Sequence, residues 1–200
     1  MILFWDTETS GMFNFRKHYS DPSQPKLLQL AAILDDENRK TVATFYAPIA
    51  VDPACPIEPG AAAVHGLDHK FLAKAGMPLK TACSIFGHMK SLAHAGVGHN
   101  IGFDIKIMAA AYSELGAQFT LDIPAICTMH STTNILKLPG TRGYKWPKLD
   151  EAYRALIDTD GFEGAHDALA DVLASRAIYY HLADQGKPLH RLSDGEMGIA

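Results

Sequence analysis

The sequence predicts an α/β fold in which a mixed sheet is covered by helices on both faces, because strand-like segments come first and helical periods alternating with short strand-like runs follow. A further observation sets the scale. At 200 residues, 48% hydrophobic and 20% charged, the chain suits one globular domain with a sizeable core. That domain is expected over residues 1–186, with 187–200 as a C-terminal tail.

Residues 3–5 and 27–34 are apolar runs, and 41–49 are rich in β-branched and aromatic side chains, so three strands are expected. The solvated cluster Asp35-Asp36-Glu37-Asn38-Arg39-Lys40 between the second and third predicts an antiparallel meander. Pro53, Pro56 and Pro59 mark 51–59 as an extended surface loop. After Pro78 the period becomes helical: Ile85, Phe86, Met89, Leu92 and Ala93 share one face of a helix expected to end near Gly96. Val97 opens a brief strand that leads to Asn100. Ile107, Met108, Ala111, Tyr112 and Leu115 define the next helix, with Gly116 placed to stop it. Helices over 149–157 and 167–185 complete the domain, the last closed by Gly186 and Pro188.

Charge and cysteine usage narrow the function classes. A formal net charge of −4 argues against a protein that coats long duplexes, since that binding rests on many Lys and Arg contacts to phosphate. Cys55, Cys83 and Cys127 form no CxxC pair and suit free thiols in a reducing cytoplasm, which excludes cysteine-held structural zinc. The first residues read as a strand and not as a signal peptide, and no apolar run reaches membrane-spanning length. Only residues 137–148 are both basic and aromatic. Lys137, Arg142, Lys145 and Lys148 stand there with Tyr144 and Trp146, and no acid falls among them.

Asp6-Thr7-Glu8 follows the first apolar run, where the two-residue period of an extended chain points both carboxylates to one side. Roughly half a DxE is expected by chance at this acid content, so the motif alone is weak. Asp35/Glu37 and Asp194/Glu196 repeat the spacing, but they fall in a charged turn and a polar tail and read as solvated charges. Asp6/Glu8 differs by the buried-looking strand before it and by Gly11 after it, which lets backbone approach a ligand. Asp104, in Asn100-Ile101-Gly102-Phe103-Asp104, stands where a strand passes into a helix and reads either as an N-cap or as a third carboxylate facing the same crevice. His166 and Asp171 are five residues apart, about 140° round a helix, so they converge only if His166 precedes the helix with Asp167 as its cap. His99 and Asp104 repeat that spacing. There the bland role of His99, in packing or a hydrogen bond, is preferred.

The conjunction carries more than its parts. In order, Asp6-Thr7-Glu8-Thr9-Ser10-Gly11, then Asn100 to Asp104, then His166-Asp167-Ala168-Leu169-Ala170-Asp171 closely resemble the three motifs of the DEDDh, or DnaQ-like, exonuclease family. The resemblance runs from residue 1 to about 183. It implies a ribonuclease H-like fold with a central five-stranded mixed sheet, and 3′–5′ exonuclease activity on single-stranded ends, DNA favoured over RNA. It also implies two Mg²⁺ or Mn²⁺ ions held by Asp6, Glu8, Asp104 and Asp171, with Asp6 bridging both and His166 as general base. Two cations about 4 Å apart stabilise the attacking and leaving oxygens of a phosphodiester displacement, and carboxylates are the hard ligands they prefer.

Substrate contacts are expected around those motifs. Thr9, Gly11, Met12 and Phe13 follow the first, Met12 standing where the family packs an apolar residue against the terminal base and Phe13 beside it as an alternative stacking ring, the other reading of both being ordinary core packing. Asn100 and Phe103 belong to the second, and Lys145 and Trp146 to the basic segment, whose other reading is an exposed loop with Trp146 tucked inward. The long connection between Gly11 and Leu27 either extends over the substrate or decorates the surface. A polymerase or another replication or repair protein is a further expected partner, and a membrane is not. The rival readings are a binding subunit of a polymerase, an endonuclease or ribonuclease on the same fold, and a nucleotide-binding enzyme. For the last, no GxxxxGK[ST] loop exists.

Overall fold

A computed structural model describes residues 1–199. Strands β1 (Ile2–Thr9), β2 (Leu27–Asp35) and β3 (Thr41–Pro48) form the expected antiparallel meander. Strands β4 (Ala95–Gly98) and β5 (Ala125–Cys127) then add in parallel on the β1 side, giving five strands in the order β3-β2-β1-β4-β5. Every residue of β2 is buried, as a strand covered on both faces requires.

The helices in chain order are α1 (Pro59–His65), α2 (His69–Ala75), α3 (Leu79–Leu92), α4 (Ile101–Glu114) and α5 (Thr128–Leu136). A small hairpin of β6 (Pro139–Gly140) and β7 (Gly143–Tyr144) precedes α6 (Leu149–Leu156), α7 (Ala168–Asp184) and the short α8 (Asp194–Met197). On one face of the sheet Leu3, Trp5 and Leu30 pack with Phe86 of α3 and Ile105 and Met108 of α4. On the other, Phe4, Ile33 and Val97 pack with Val172 and Tyr179 of α7. Aromatic pairs fix both layers, with ring centroids 5.5 Å apart for Trp5–Phe86 and for Phe4–Tyr179.

Several elements depart from the sequence reading. The first strand does not stop at Trp5; it pairs with β2 as far as Thr9, so the DxE motif lies inside the sheet. Gly96 does not end a helix but belongs to β4, where a Cβ would stand 2.4 Å from the Trp5 ring. Helices α1 and α2, which follow the expected loop, were not foreseen, since α1 buries no side chain and α2 only Leu72, too little for an apolar period. Strand β5 and helix α5 were also not foreseen. Asp35 is not a solvated charge: it is fully buried at the end of β2 and paired with Arg176 of α7. The polar stretch after Gly186 turns back onto the body, with Leu192 buried and its N–H donating to Ala125 O, while Cys127 N–H donates to His190 O. Among the described residues no helix is long and apolar enough to cross a membrane, and all three cysteines are free.

Candidate active site

Three elements bring the predicted acids together. Asp6 and Glu8 alternate along β1 and so share one side of the strand, opposite Ala31 and Gln29 of β2. Asp104 lies in the first turn of α4, which packs on β1; the N-cap of that helix is Asn100, so the N-cap reading of Asp104 fails. The Asp104 carboxylate is pinned from β1 instead, accepting hydrogen bonds from Thr7 N–H at 3.0 Å and Thr7 Oγ1 at 2.7 Å.

Asp171 comes from the start of α7, whose N-terminus is tied to the meander. Asp167 caps the helix by accepting from Leu169 N–H at 3.1 Å and Ala170 N–H at 3.3 Å. Its other oxygen accepts from the Tyr46 hydroxyl of β3, and Gln29 of β2 accepts from Ala168 N–H while donating to Tyr46. Gln29 is an amide inside an apolar strand, and that local oddity was the one sequence signal pointing to this tether. The cap turns the chain so that His166 lies outside the helix, at φ 70° in the left-handed region, with its N–H 3.3 Å from an Asp171 oxygen. Asn100, at the mouth of α4, has φ 61°. Left-handed backbone at non-glycine residues costs energy, and here it falls at both helix mouths that face the acids.

The electrostatics are those of charges crowded without a partner. Burial, then Asp104, Asp171 and Glu8, hold the Asp6 carboxyl well above the usual carboxylate range. Burial and then Asp171 push Glu8 up to about 8. Burial raises Asp104 to about 7 against the lowering effect of its Thr7 bonds, and raises Asp171 to about 6 against that of the His166 N–H. Among the described residues no Lys or Arg forms a salt bridge with any of the four. Ligand atoms of Glu8, His166 and Asp171 all lie within 4.8 Å of one another. An all-oxygen cluster with no internal cation, plus one imidazole at its rim, fits hard divalent ions such as Mg²⁺ or Mn²⁺.

Beside Glu8 opens a cavity of about 300 Å³. Of the predicted substrate residues, Thr9, Gly11, Met12 and Phe103 line it, Met12 being 72% exposed. Its remaining wall is α1 and the residue before it, which the sequence reading missed: Glu58, Val64 and His65. His65 lies 3.1 Å from Thr9 O through Nε2, and the Glu58 carboxyl packs over Gly11, where an added Cβ would stand 2.4 Å from its carbon and oblige that side chain to turn away.

Other predicted contacts fall elsewhere. Phe13 is not a stacking ring; it is buried in the core against Phe15, because the loop after Gly11 needs an apolar anchor. That loop is also held by Gln24, whose amide donates to the carbonyls of Asn14, Lys17 and His18. Asn100 and Lys145 do not line the cavity, and Lys145 is paired with Glu151. Trp146 is not tucked inward but 66% exposed, beside His130. His99 has the bland role preferred for it: Nδ1 meets Thr128 Oγ1 at 2.9 Å, Nε2 meets Pro147 O at 3.0 Å, and burial drives its pKa down to about 4.

A five-stranded mixed sheet of ribonuclease H type, with carboxylates from β1, α4 and α7 and a histidine at the mouth of α7, defines a DnaQ-like exonuclease domain. Residues 3–179 match the exonuclease family model of ribonuclease T type, and the chain belongs to that family. No curated protein matches it by sequence. Among solved structures, E. coli exonuclease I in complex with a dA16 oligonucleotide is similar over 92% of this chain and 40% of its own, at 18% identity and TM-score 0.73. Exonuclease I from Methylocaldum szegediense is similar over 92% and 40%, at 20% identity and TM-score 0.68. Exonuclease X in complex with 5′ overhanging duplex DNA is similar over 99% of this chain and 98% of its own, at 20% identity and TM-score 0.60. The chain thus spans two fifths of the exonuclease I structures and nearly the whole of exonuclease X.

Proposed function

We propose that this domain is a divalent-metal-dependent 3′–5′ exonuclease that takes single-stranded 3′ ends, DNA in preference to RNA, and releases mononucleotides. The observation that carries the reading is the convergence of Asp6, Glu8, Asp104 and Asp171 without a cationic side chain, next to an exposed histidine. Asp6, Glu8, Asp104 and Asp171 would hold two Mg²⁺ or Mn²⁺ ions, which when bound stabilise charge on the attacking and leaving oxygens. His166 is exposed at the rim, where its imidazole accepts a proton from an attacking water. Asp171 orients that residue through its backbone N–H. Met12 and Phe103 offer apolar surface to a terminal base within the cavity, and the turn at Gly11 lets the strand pass close to the backbone.

A DNA substrate is supported by the complexes of the similar folds, which hold dA16 on exonuclease I and 5′ overhanging duplex DNA on exonuclease X. Matched single-stranded DNA and RNA oligomers labelled at either end, with a circular single-stranded DNA control, test the reading. With Mg²⁺, a 3′ label should leave as a mononucleotide from the first turnover, while a 5′ label marks a ladder that shortens. Cutting of the circle at a comparable rate overturns the exonuclease reading in favour of an endonuclease, and activity that survives thorough chelation overturns the metal dependence.

A further inference from the structure

A second cluster of metal-ligating side chains, sharing no residue with the four acids, lies where the C-terminal segment meets α5. His130 projects from the first turn of α5, His190 precedes the strand-like contact of Arg191 with β5, and Glu196 belongs to α8. Glu196 Oε1 lies 3.1 Å from His190 Nε2 and 3.7 Å from His130 Nδ1, and all three ligand atoms lie within 4.8 Å of one another. Two ligands of a tetrahedral Zn²⁺, each at about 2.0–2.1 Å, stand about 3.4 Å apart, so the two shorter separations bracket the edge of such a polyhedron.

The supporting residues orient these atoms. Glu196 Oε2 is engaged separately, accepting from Ser193 N–H at 2.8 Å and Ser193 Oγ at 2.7 Å, which aims Oε1 at the two rings. The backbone of His190 is fixed by its N–H bond to Ser131 Oγ at 2.8 Å and by the Cys127 N–H that its carbonyl accepts. The rings meet edge to face with centroids 4.8 Å apart, and Trp146 stands over His130 at 5.3 Å. Together with Thr133 and Asn134 these side chains line an open concavity.

We infer that His130, His190 and Glu196 form a binding site for a zinc-class divalent cation, which fastens the C-terminal segment to α5 and is independent of the catalytic acids. The donor set separates the two sites chemically. Two imidazole nitrogens and one carboxylate suit Zn²⁺ or Co²⁺, whereas Mg²⁺ prefers the all-oxygen cluster on β1. Three protein ligands leave a fourth position for water on the exposed side. The ion would take the place of the direct Nε2–Oε1 contact between His190 and Glu196, with both rings binding as neutral imidazoles.

The test uses the full chain carrying Asp6→Asn and Asp171→Asn, which removes the catalytic cluster as a competing site. Calorimetric titration with Zn²⁺ should give one equivalent, and Co²⁺ should show the intense visible absorption of a tetrahedral site. Both signals should vanish in His130→Ala and in His190→Ala, while Ser193→Ala, which keeps every ligand, should weaken affinity by about 10–100-fold. Excess Mg²⁺ should not displace the bound Co²⁺. If His130→Ala fails to fold by circular dichroism, His190→Asn at the more exposed ring carries the test. No saturable Zn²⁺ binding in the double variant, or binding that the histidine substitutions leave unchanged, overturns the inference.

Discussion

Asp6 and Asp35 are aspartates on neighbouring strands of one sheet, the first half-buried and the second fully buried, and their surroundings are opposite. Asp35 at the end of β2 is satisfied: Arg176 Nε donates to it at 2.6 Å, the Tyr180 hydroxyl at 2.8 Å and the Thr41 hydroxyl at 2.9 Å. Asp6 in β1 has instead four more carboxylates, those of Asp104, Asp171, Glu8 and Asp167, within electrostatic reach and no cation. A buried charge is tolerated when paired, so the first arrangement belongs to the fold. The second raises every pKa in the cluster and needs an outside cation to become ionised and useful.

The sharpest way to break that comparison is Asp6→Asn. It should lower hydrolysis by about 10⁴-fold, because the acids act as a unit, while making the chelated protein more stable. The sign follows from linkage. Asp6, Glu8, Asp104 and Asp171 all hold protons to higher pH in the folded chain than their ordinary values of 3.8 for aspartate and 4.5 for glutamate, so between about pH 4 and 8 the folded state binds more protons than the unfolded one. Stability of the metal-free protein should therefore fall as pH rises through that window. Thermal melts in EDTA from pH 5 to 8 should decline for the natural sequence, decline less for Asp6→Asn, and recover at pH 8 when Mg²⁺ is added. A melting temperature that rises over the same range without metal contradicts this account.

The two His-x₄-Asp pairs sharpen the same contrast at the level of the base. His166→Ala should slow single-turnover cleavage by about 10²–10⁴-fold without preventing metal binding. Its left-handed backbone is itself a strain on alanine, so His166→Gly should show the same kinetic loss with a higher melting temperature. His99→Ala should do the reverse. It takes the ring away from Pro147 O and leaves Thr128 Oγ1 with only its 3.3 Å bond to Gly98 O in a buried place, and should cost stability with little change in the chemical step. A pH–rate rise that vanishes in the His99 variant and persists in the His166 variant would exchange their roles.

On the structural side of the comparison, Asp35→Ala should destabilise the fold by about 3 kcal/mol and leave the rate per folded molecule unchanged. The value is set at the low end for a broken buried pair because the Arg176 side chain is 25% exposed and can recover water. Urea titration beside an activity assay checks it; a loss of rate at full folding would mean that α7 transmits the change to Asp171.

What the sequence made legible follows the same division. Asp6, Glu8, Asp104 and Asp171 could be found because each stands next to an apolar strand or helix signal that fixes its direction. Asp35 could not be told from its neighbours Asp36 and Glu37, since its partner Arg176 is 141 positions away and only the α7–β2 packing brings them together. The meander and α3, α4, α6 and α7 carry apolar periods and were readable. Helices α1 and α2 stand outside that rule, as β5 does at only three residues. The cavity wall at Glu58, Val64 and His65 was lost with them.

That wall leads to the smallest expected effect, which concerns which apolar surface meets the terminal base. Met12 and Phe13 are adjacent, yet Met12 is 72% exposed in the cavity and Phe13 is 6% exposed in the core. Met12→Ala should therefore weaken single-stranded binding by about 1 kcal/mol, the lower end of the loss for a side chain that packs on a base, with the melting temperature unchanged. Phe13→Ala should cost about 3 kcal/mol of folding stability, as for other buried phenylalanines, and affect binding only through the fraction folded. Trp146 lies outside the cavity wall, so Trp146→Ala should leave affinity for a short oligomer intact. Binding measured on an Asp6→Asn background separates these outcomes. Equal loss of affinity from Met12→Ala and Trp146→Ala would extend the substrate path from the cavity across the basic segment, and loss from Trp146→Ala alone would move the terminal base away from Met12 altogether.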